Sequence, residues 1–449
     1  MGRMKIEVPR AVGNQVSSAH YDAMHNETTV KPARVAETTD PAPGFPLGTR
    51  ELVAMMAALM ALNALAIDAI LPAFPALGAA FDVASPNDRQ FVISSYLMGM
   101  GLGSLFYGPI GDRYGRKPVL LGSVTFYVIF GLSSAFSPDF DTLLMLRFAQ
   151  GFAAAAMGVL VISVIRDIFS GDRMASFMSI IFIVFMAVPV IAPTVGQLIL
   201  YFAQWQFIFI LLAVMGSAVG IWVWLRLPET LRPENVIPIR LDSIGSTWFK
   251  VVFNRTGFGH VAAGGLLMGA MFGFLNSSQQ IFSEVFGAPD LFPYAFAAVA
   301  GAMAVSNWFN SRIVERFGAR RVSQSALLAF LVLSGLQIGA ALMPGEPMAL
   351  FLVIVALNMA MVGFIGANFG SIAMEPFGAM AGAASSFQMA FRTVLGAGIG
   401  AVVGQAFDGT TLPMAIGFLT CGVLALLVIF WAEKGQLFRR PGTCPKSPM

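Results

Sequence analysis

Charge is what this sequence has least of. Only 11% of its 449 residues are Asp, Glu, Lys or Arg, whereas soluble chains carry about 25%. That excludes the two or three water-soluble domains the length would otherwise suggest. Cysteine is nearly absent too. Cys421 stands in an apolar run and Cys444 near the carboxyl end, so neither a disulfide framework nor a metal-ligand spacing is available. Of three histidines, His20 and His25 fall in the polar amino-terminal stretch and His260 stands alone at the start of an apolar run. No embedded Ser/Lys, paired-Asp or His/Glu constellation accompanies them, so an enzyme is not expected. No G-x-x-x-x-G-K-[ST] loop is present, which argues against an ATP-driven pump.

What the chain has is apolar length: 57% of its residues are hydrophobic and 46 are glycine. A spanning helix needs about 20 apolar residues, and twelve such runs begin near 52, 90, 117, 141, 175, 205, 258, 291, 322, 347, 379 and 411. The expected fold is an all-α membrane protein with twelve transmembrane helices. Residues 1–49 and 433–449 read as cytoplasmic tails, the first disordered; it has no signal-peptide apolar core and no myristoylation site. Outside segments assigned to the cytoplasm, Lys and Arg occur only as Arg89, Arg147 and Arg392. Asp82, Asp88, Asp139, Asp141, Glu284, Asp290, Glu346 and Asp408 fall in the opposite loops. The net charge of +3 therefore reports orientation, with both termini inside, and no nucleic-acid partner.

The charged, glycine-rich island Gly108-Pro109-Ile110-Gly111-Asp112-Arg113-Tyr114-Gly115-Arg116-Lys117-Pro118 must be a tight cytoplasmic turn between the second and third runs. Glu315-Arg316-Phe317-Gly318-Ala319-Arg320-Arg321 follows the eighth run in the same way. Val195-Gly196-Gln197 of the fifth returns as Val403-Gly404-Gln405 of the eleventh, at nearly the same offset (203 and 208 residues). A duplication at half length implies two pseudo-symmetric six-helix lobes, residues 50–228 and 258–432, with a substrate site between them. Residues 229–257 form the cytoplasmic inter-lobe linker, and 239–253 can be an interfacial helix or plain connection.

Ionisable groups inside an apolar span are costly, and each is a functional candidate. Asp68 and Arg147 fall at similar depth in the outer half, about 24 Å along the first helix and about 9 Å into the fourth at 1.5 Å per residue. A salt bridge between them is geometrically possible. Burial raises a carboxylate's pKa and a nearby arginine lowers it, so a conformational change can load or release a proton on Asp68 while Arg147 tunes it. Arg147, Gly151, Ala154 and Gly158 share one face, small enough to admit a neighbouring helix. Arg392, near mid-depth of the eleventh run, can meet an anionic substrate, compete for Asp68 or bond backbone carbonyls. Pro189 and Pro193 share a face of the fifth run with Gly196 following, so a bend is expected there. Asn276-Ser277-Ser278-Gln279-Gln280, amid phenylalanines, is either an amphipathic-ligand wall or a wet helix end; Asn276, Gln279 and Asn358, with Asn368, are candidate substrate contacts.

Several of these sentences resemble one family. The pattern G-x-x-x-D-R-x-G-R-K is similar to the loop joining the second and third helices of major facilitator superfamily transporters. Leu105-Phe106-Tyr107-Gly108-Pro109 and Asp68-Ala69-Ile70-Leu71-Pro72-Ala73-Phe74-Pro75 look closer still to its bicyclomycin-resistance (Bcr/CflA) branch of drug:proton antiporters. Ala69 and Ile70 stand where that branch commonly has aromatic residues or methionine. Arg147-Phe148-Ala149-Gln150-Gly151 resembles the fourth-helix motif of proton-coupled members, and Ala192-Pro193-Thr194-Val195-Gly196-Gln197 the fifth-helix antiporter motif, with Ala192 in place of the usual Gly.

The resemblance implies a monomeric, multi-pass protein of the bacterial inner membrane that exports drugs or small amphipathic solutes in exchange for protons. It would use no cofactor beyond the proton gradient, and its only partners would be its substrate and the lipid bilayer. A proton-coupled importer of a small metabolite is the alternative. Gly108, Asp112, Arg113, Gly115, Arg116 and Lys117 would form a conformational latch, with Asp112 facing the amino end of the eleventh helix and Arg166 as its second partner.

Overall fold

The computed structural model describes residues 47–169, 171–236 and 241–438. The expectations for the two tails fall almost wholly outside these residues. Among the described residues, twelve helices are long and apolar enough to cross a membrane: Thr49–Ala80, Pro86–Tyr114, Arg116–Ala135, Phe140–Ile168, Phe177–Phe202, Gln206–Arg226, Arg255–Val285, Pro289–Phe317, Ala319–Ala341, Met348–Phe377, Gly382–Gln405 and Leu412–Ala432. We call them the first to twelfth spans. Their starts follow the apolar runs to within a few residues, because in a lipid phase every backbone polar group must be satisfied within the segment and helices do this.

Local chemistry sets the ends. Asp139 caps the fourth span by accepting a bond from Thr142 N at 2.7 Å, and Asn254 caps the seventh through Gly257 N at 2.7 Å. Single glycines with positive φ, Gly115 (98°) and Gly318 (84°), join the second span to the third and the eighth to the ninth. A positive-φ residue between two helices favours glycine. The first span is not one α-helix. It runs as α-helix from Thr49 to Asp68, passes through a 3₁₀ turn at Leu71–Ala73 and resumes at Phe74–Ala80. Pro72 and Pro75 lack the N–H groups that would carry the ladder across this point.

Within the first six spans, the second packs along the fourth, the third along the fourth and sixth, and the first against the fourth, fifth and sixth. The same pairings recur six spans later among the seventh to twelfth. Two seams join these groups, second span with eleventh and fifth with eighth. The connection from the sixth span to the seventh carries the helix Leu241–Phe253, which packs on the seventh and eleventh spans. Its Val251 packs with Phe377 and Ala384 and Trp248 meets Phe387 at 6.3 Å, while Phe249 and Phe253 stay exposed. That pattern fits an interfacial helix better than a plain connection.

Candidate functional site

Asp68 closes the α-helical part of the first span and is 5% exposed. It has no hydrogen-bond or ion-pair partner among the described residues. Gly196 is the reason that the fifth span can lie against this point: a side chain there would strike the Ala69 carbonyl. The fifth-span helix Gly171–Phe202 runs through Pro189 and Pro193 without interruption, so the expected bend leaves no break in the helix.

Arg147 is fully enclosed but does not pair with Asp68, contrary to the salt bridge that depth alone allowed. Its Nη2 donates to the Ala66 carbonyl at 2.9 Å, its Nε to the Val92 carbonyl at 3.2 Å and its Nη1 to Gln150 Oε1 at 2.7 Å. The guanidinium lies over the Tyr96 ring at 4.4 Å. The Ala66 carbonyl, two residues from Asp68, and the Val92 carbonyl of the second span thus take the bonds that the carboxylate was expected to accept. Tyr96 OH in turn donates to Asn63 at 3.1 Å. Gln150, three residues along the same helix face from Arg147, was legible in the sequence; Tyr96 and Asn63 carried no signal. Gly151 serves as expected, since a side chain on it would strike the Tyr96 carbonyl.

At the end bearing Thr49 and Ala432, the glycine-rich island forms a charge cluster. Arg116, 3% exposed, bonds Asp112 at 2.6 Å and Asp167 at 2.9 Å. Glu229 accepts from the backbone N of Arg116 at 2.9 Å and of Lys117 at 3.1 Å. The placement corrects two expectations. Asp112 is bonded within its own loop rather than to the eleventh span, and Arg166 makes no pair with it. Arg166 instead reaches that span's amino end, its Nη1 3.4 Å from where a Gly382 Cβ would be. Gly108 faces Ser386 Oγ across the seam, 3.0 Å from an added Cβ, and Arg113 is exposed. Asp167 and Glu229 were missed, although the repeat predicts them. In the second group Arg320 bonds Glu375 at 2.7 Å and Glu433 at 2.9 Å. Residues 116 and 320, and 229 and 433, are each 204 apart, and 167 and 375 are 208 apart.

At the far end a polar belt joins the two groups. Asn87 Nδ2 donates to the carbonyls of Gln405 at 3.1 Å and Phe407 at 2.8 Å, and Gln405 Nε2 returns a bond to the Asn87 carbonyl at 2.9 Å. Gln90 bonds Gln280 and, at 3.2 Å, the Gly404 carbonyl. Asn276 Nδ2 donates to Ser94 Oγ at 3.2 Å, and Arg89 pairs with Glu284 at 3.2 Å.

The run 276–280 is therefore buried seam, neither a wet helix end nor an open ligand wall. Gln279 is buried with its Oε1 unpartnered. Asn358 is corrected as well: it lies wholly buried against Ser334 of the ninth span, 3.3 Å from its Oγ. Asn368 bonds Asn310 at 2.7 Å. Arg392 makes none of the backbone-carbonyl bonds considered for it, and its Nε is enclosed without an acceptor.

The sequence pattern of the Major Facilitator Superfamily matches residues 56–401. Over 383 residues the chain is 33% identical to a bicyclomycin resistance protein homolog of Haemophilus influenzae, covering 83% of this chain and 94% of that one. It is 29% identical over 378 residues to the multidrug resistance protein MdtL of Salmonella dublin, covering 83% and 93%. Among solved structures, a D-xylose-proton symporter superposes with a TM-score of 0.66 at 16% identity, covering 86% of this chain and 99% of that one. With twelve spanning helices and a family match over most of its length, the chain belongs to the major facilitator superfamily of membrane transporters.

Proposed function

We propose that this protein is a proton-coupled exporter of drugs or small amphipathic solutes, working by antiport across the bacterial inner membrane as a monomer. The names of its drug-resistance relatives support the substrate class. The observation that carries the coupling is Asp68: a carboxylate 5% exposed, without a partner, at the break in the first span. An unpaired charge in such a place is costly, and binding a proton removes the cost. Arg147, bonded through each of its three nitrogens to a carbonyl or to Gln150, holds the backbone beside Asp68 in place.

Residues 50–228 and 258–432 would act as pseudo-symmetric lobes rocking about the substrate, joined by a cytoplasmic linker at 229–257. The basic loops put the termini end in the cytoplasm. The far-end belt would then seal the outer side. The proton gradient supplies the energy, and no cofactor takes part.

The test is substrate efflux in everted membrane vesicles under an imposed pH gradient, with Asp68→Asn compared with wild type. Proton-driven export is expected to be lost in the variant, while substrate binding survives. Exchange at the wild-type rate by Asp68→Asn would overturn the proton-carrier role, and gradient-driven movement in the opposite direction would turn the reading to import.

A further inference from the structure

Two arginines stand deep in the spans, and the protein treats them differently. Arg147 has an acceptor for each of three nitrogens. Arg392, on the eleventh span, has none: it makes no hydrogen bond or ion pair with any described residue. Its Nε is enclosed without a partner, although the side chain as a whole is only half-buried. The Nη nitrogens are not enclosed in this way.

The walls around Arg392 are glycine. A Cβ on Gly264 of the seventh span would lie 2.8 Å from Nε and 3.1 Å from Cζ; one on Gly366 would lie 3.7 Å from Nη2 and one on Gly370 3.6 Å from Nη1. Gln388, one turn earlier on the same helix, brings its Nε2 within 3.2 Å of the same Gly370 position. Gly264 allows the guanidinium to lie flat against the seventh span, and Gly366 and Gly370 keep the tenth span back from its two Nη groups. No carboxylate among the described residues pairs with it, Asp68 included. Glu375 and Glu433 are held by Arg320, and Glu284 by Arg89. A guanidinium in a low-dielectric interior needs a counter-charge, and the described protein supplies none.

Taking the transporter reading above, we propose that Arg392 is the anion-recognition subsite of the substrate cavity. Its two Nη groups would grip an oxyanion in fork geometry, with the Gln388 amide as an additional donor. The substrates would therefore include amphipathic organic anions or zwitterions that carry a carboxylate, and the charge of Arg392 would select them over neutral and cationic analogues of the same shape.

The experiment is equilibrium binding to the full-length protein in lipid nanodiscs, without any gradient. The probes are matched aryl carboxylates, primary amides and amines: phenylbutyrate, phenylbutyramide, phenylbutylamine and their naphthyl analogues. Wild type is expected to bind the carboxylates most tightly. Arg392→Gln should weaken carboxylate binding by roughly tenfold or more, the effect of removing a charged hydrogen-bonding partner, and leave the amides unchanged. Arg392→Lys should keep part of the preference.

Gly264→Ala, which displaces the guanidinium and retains the charge, should also weaken the carboxylates and serves if Arg392→Gln does not fold. The proposal is overturned if wild type shows no carboxylate preference, or if the folded variants bind carboxylate and amide as wild type does. Carboxylate selectivity in nanodiscs with no transport in vesicles would instead sink the transporter reading and leave the subsite standing.

Discussion

Gly115 and Gly318 occupy equivalent turns and share a positive φ, yet only one is crowded. A Cβ on Gly115 would come 2.5 Å from Glu229 Oε2, whereas nothing lies within 4 Å of one on Gly318. With ψ of 155° and 148° both lie in an extended positive-φ region that is essentially restricted to glycine and costs other residues about 1–3 kcal/mol, so both alanine variants should lose stability. Gly115→Ala should lose more, because it also dislodges the carboxylate that holds the Arg116 and Lys117 amides. Thermal unfolding in detergent, followed by tryptophan fluorescence, measures this; equal losses would show that the Glu229 contact contributes nothing. At Arg147 the planar fork matters as much as the charge, since three nitrogens reach three separate acceptors. Arg147→Lys keeps the charge and cannot reach all three. It should lower the melting temperature and slow transport, at a cost of about 1.5–3 kcal/mol per lost charged bond.

Among the elements, the far-end belt is held by Asn87 and Gln90 from the first group and by Gln280, Gly404 and Gln405 from the second. The double variant Asn87→Ala with Gln90→Ala should favour opening at that end. A reporter, Ser277→Cys, is 1% exposed in this structure; placed in a Cys421→Ser, Cys444→Ser background, it should react faster with a membrane-impermeant thiol reagent in the double variant. Unchanged labelling would remove the belt from the gating path.

Glu346, in the turn between the ninth and tenth spans, ties the twelfth span through Thr411. Burial pushes its carboxyl above the usual range, and the Thr411 bond opposes the shift. With the folded value raised, the fold holds this proton more tightly than the unfolded chain does. Its stabilising share is present at low pH and is lost as pH climbs from the ordinary carboxylate value through the raised one. Glu346→Gln should flatten the dependence of melting temperature on pH in that window; an identical pH profile would remove Glu346 from it.

For the whole molecule, the charge cluster around Arg116 ties the termini ends of the second, third and fourth spans to Glu229, just beyond the sixth. It sits beside the seam where Gly108 meets Ser386. Asp112 is 32% exposed at its side chain, so solvent weakens its pair, and Asp112→Asn should cost about 1 kcal/mol or less. That corresponds to at most about a fivefold change in the balance of states and in turnover. Arg116→Gln loses the Asp167 pair as well and should shift both further. Transport rate and Ser277→Cys labelling, measured together, decide this; if neither variant moves either readout, the cluster is scaffolding and has no latch role.

The sequence by itself determined the twelve spans, the helix class and the repeat, because apolar length and glycine placement act locally and survive any packing. Glu229 and Asp167 went unread, although their counterparts Glu433 and Glu375, which bind Arg320, stand at the repeat offset. Which partner each buried polar group takes was a matter for the tertiary structure alone. Depth along two helices put Asp68 and Arg147 at one level, but hydrogen bonding depends on rotation about each helix axis, and that rotation handed Arg147 to the Ala66 and Val92 carbonyls. The same reason moved Asn276 from a ligand wall to a seam, and Asp112 from a helix end to its own loop. It also left Arg392, one of several candidates in the sequence, as a half-buried cation whose enclosed Nε has no acceptor among the described residues.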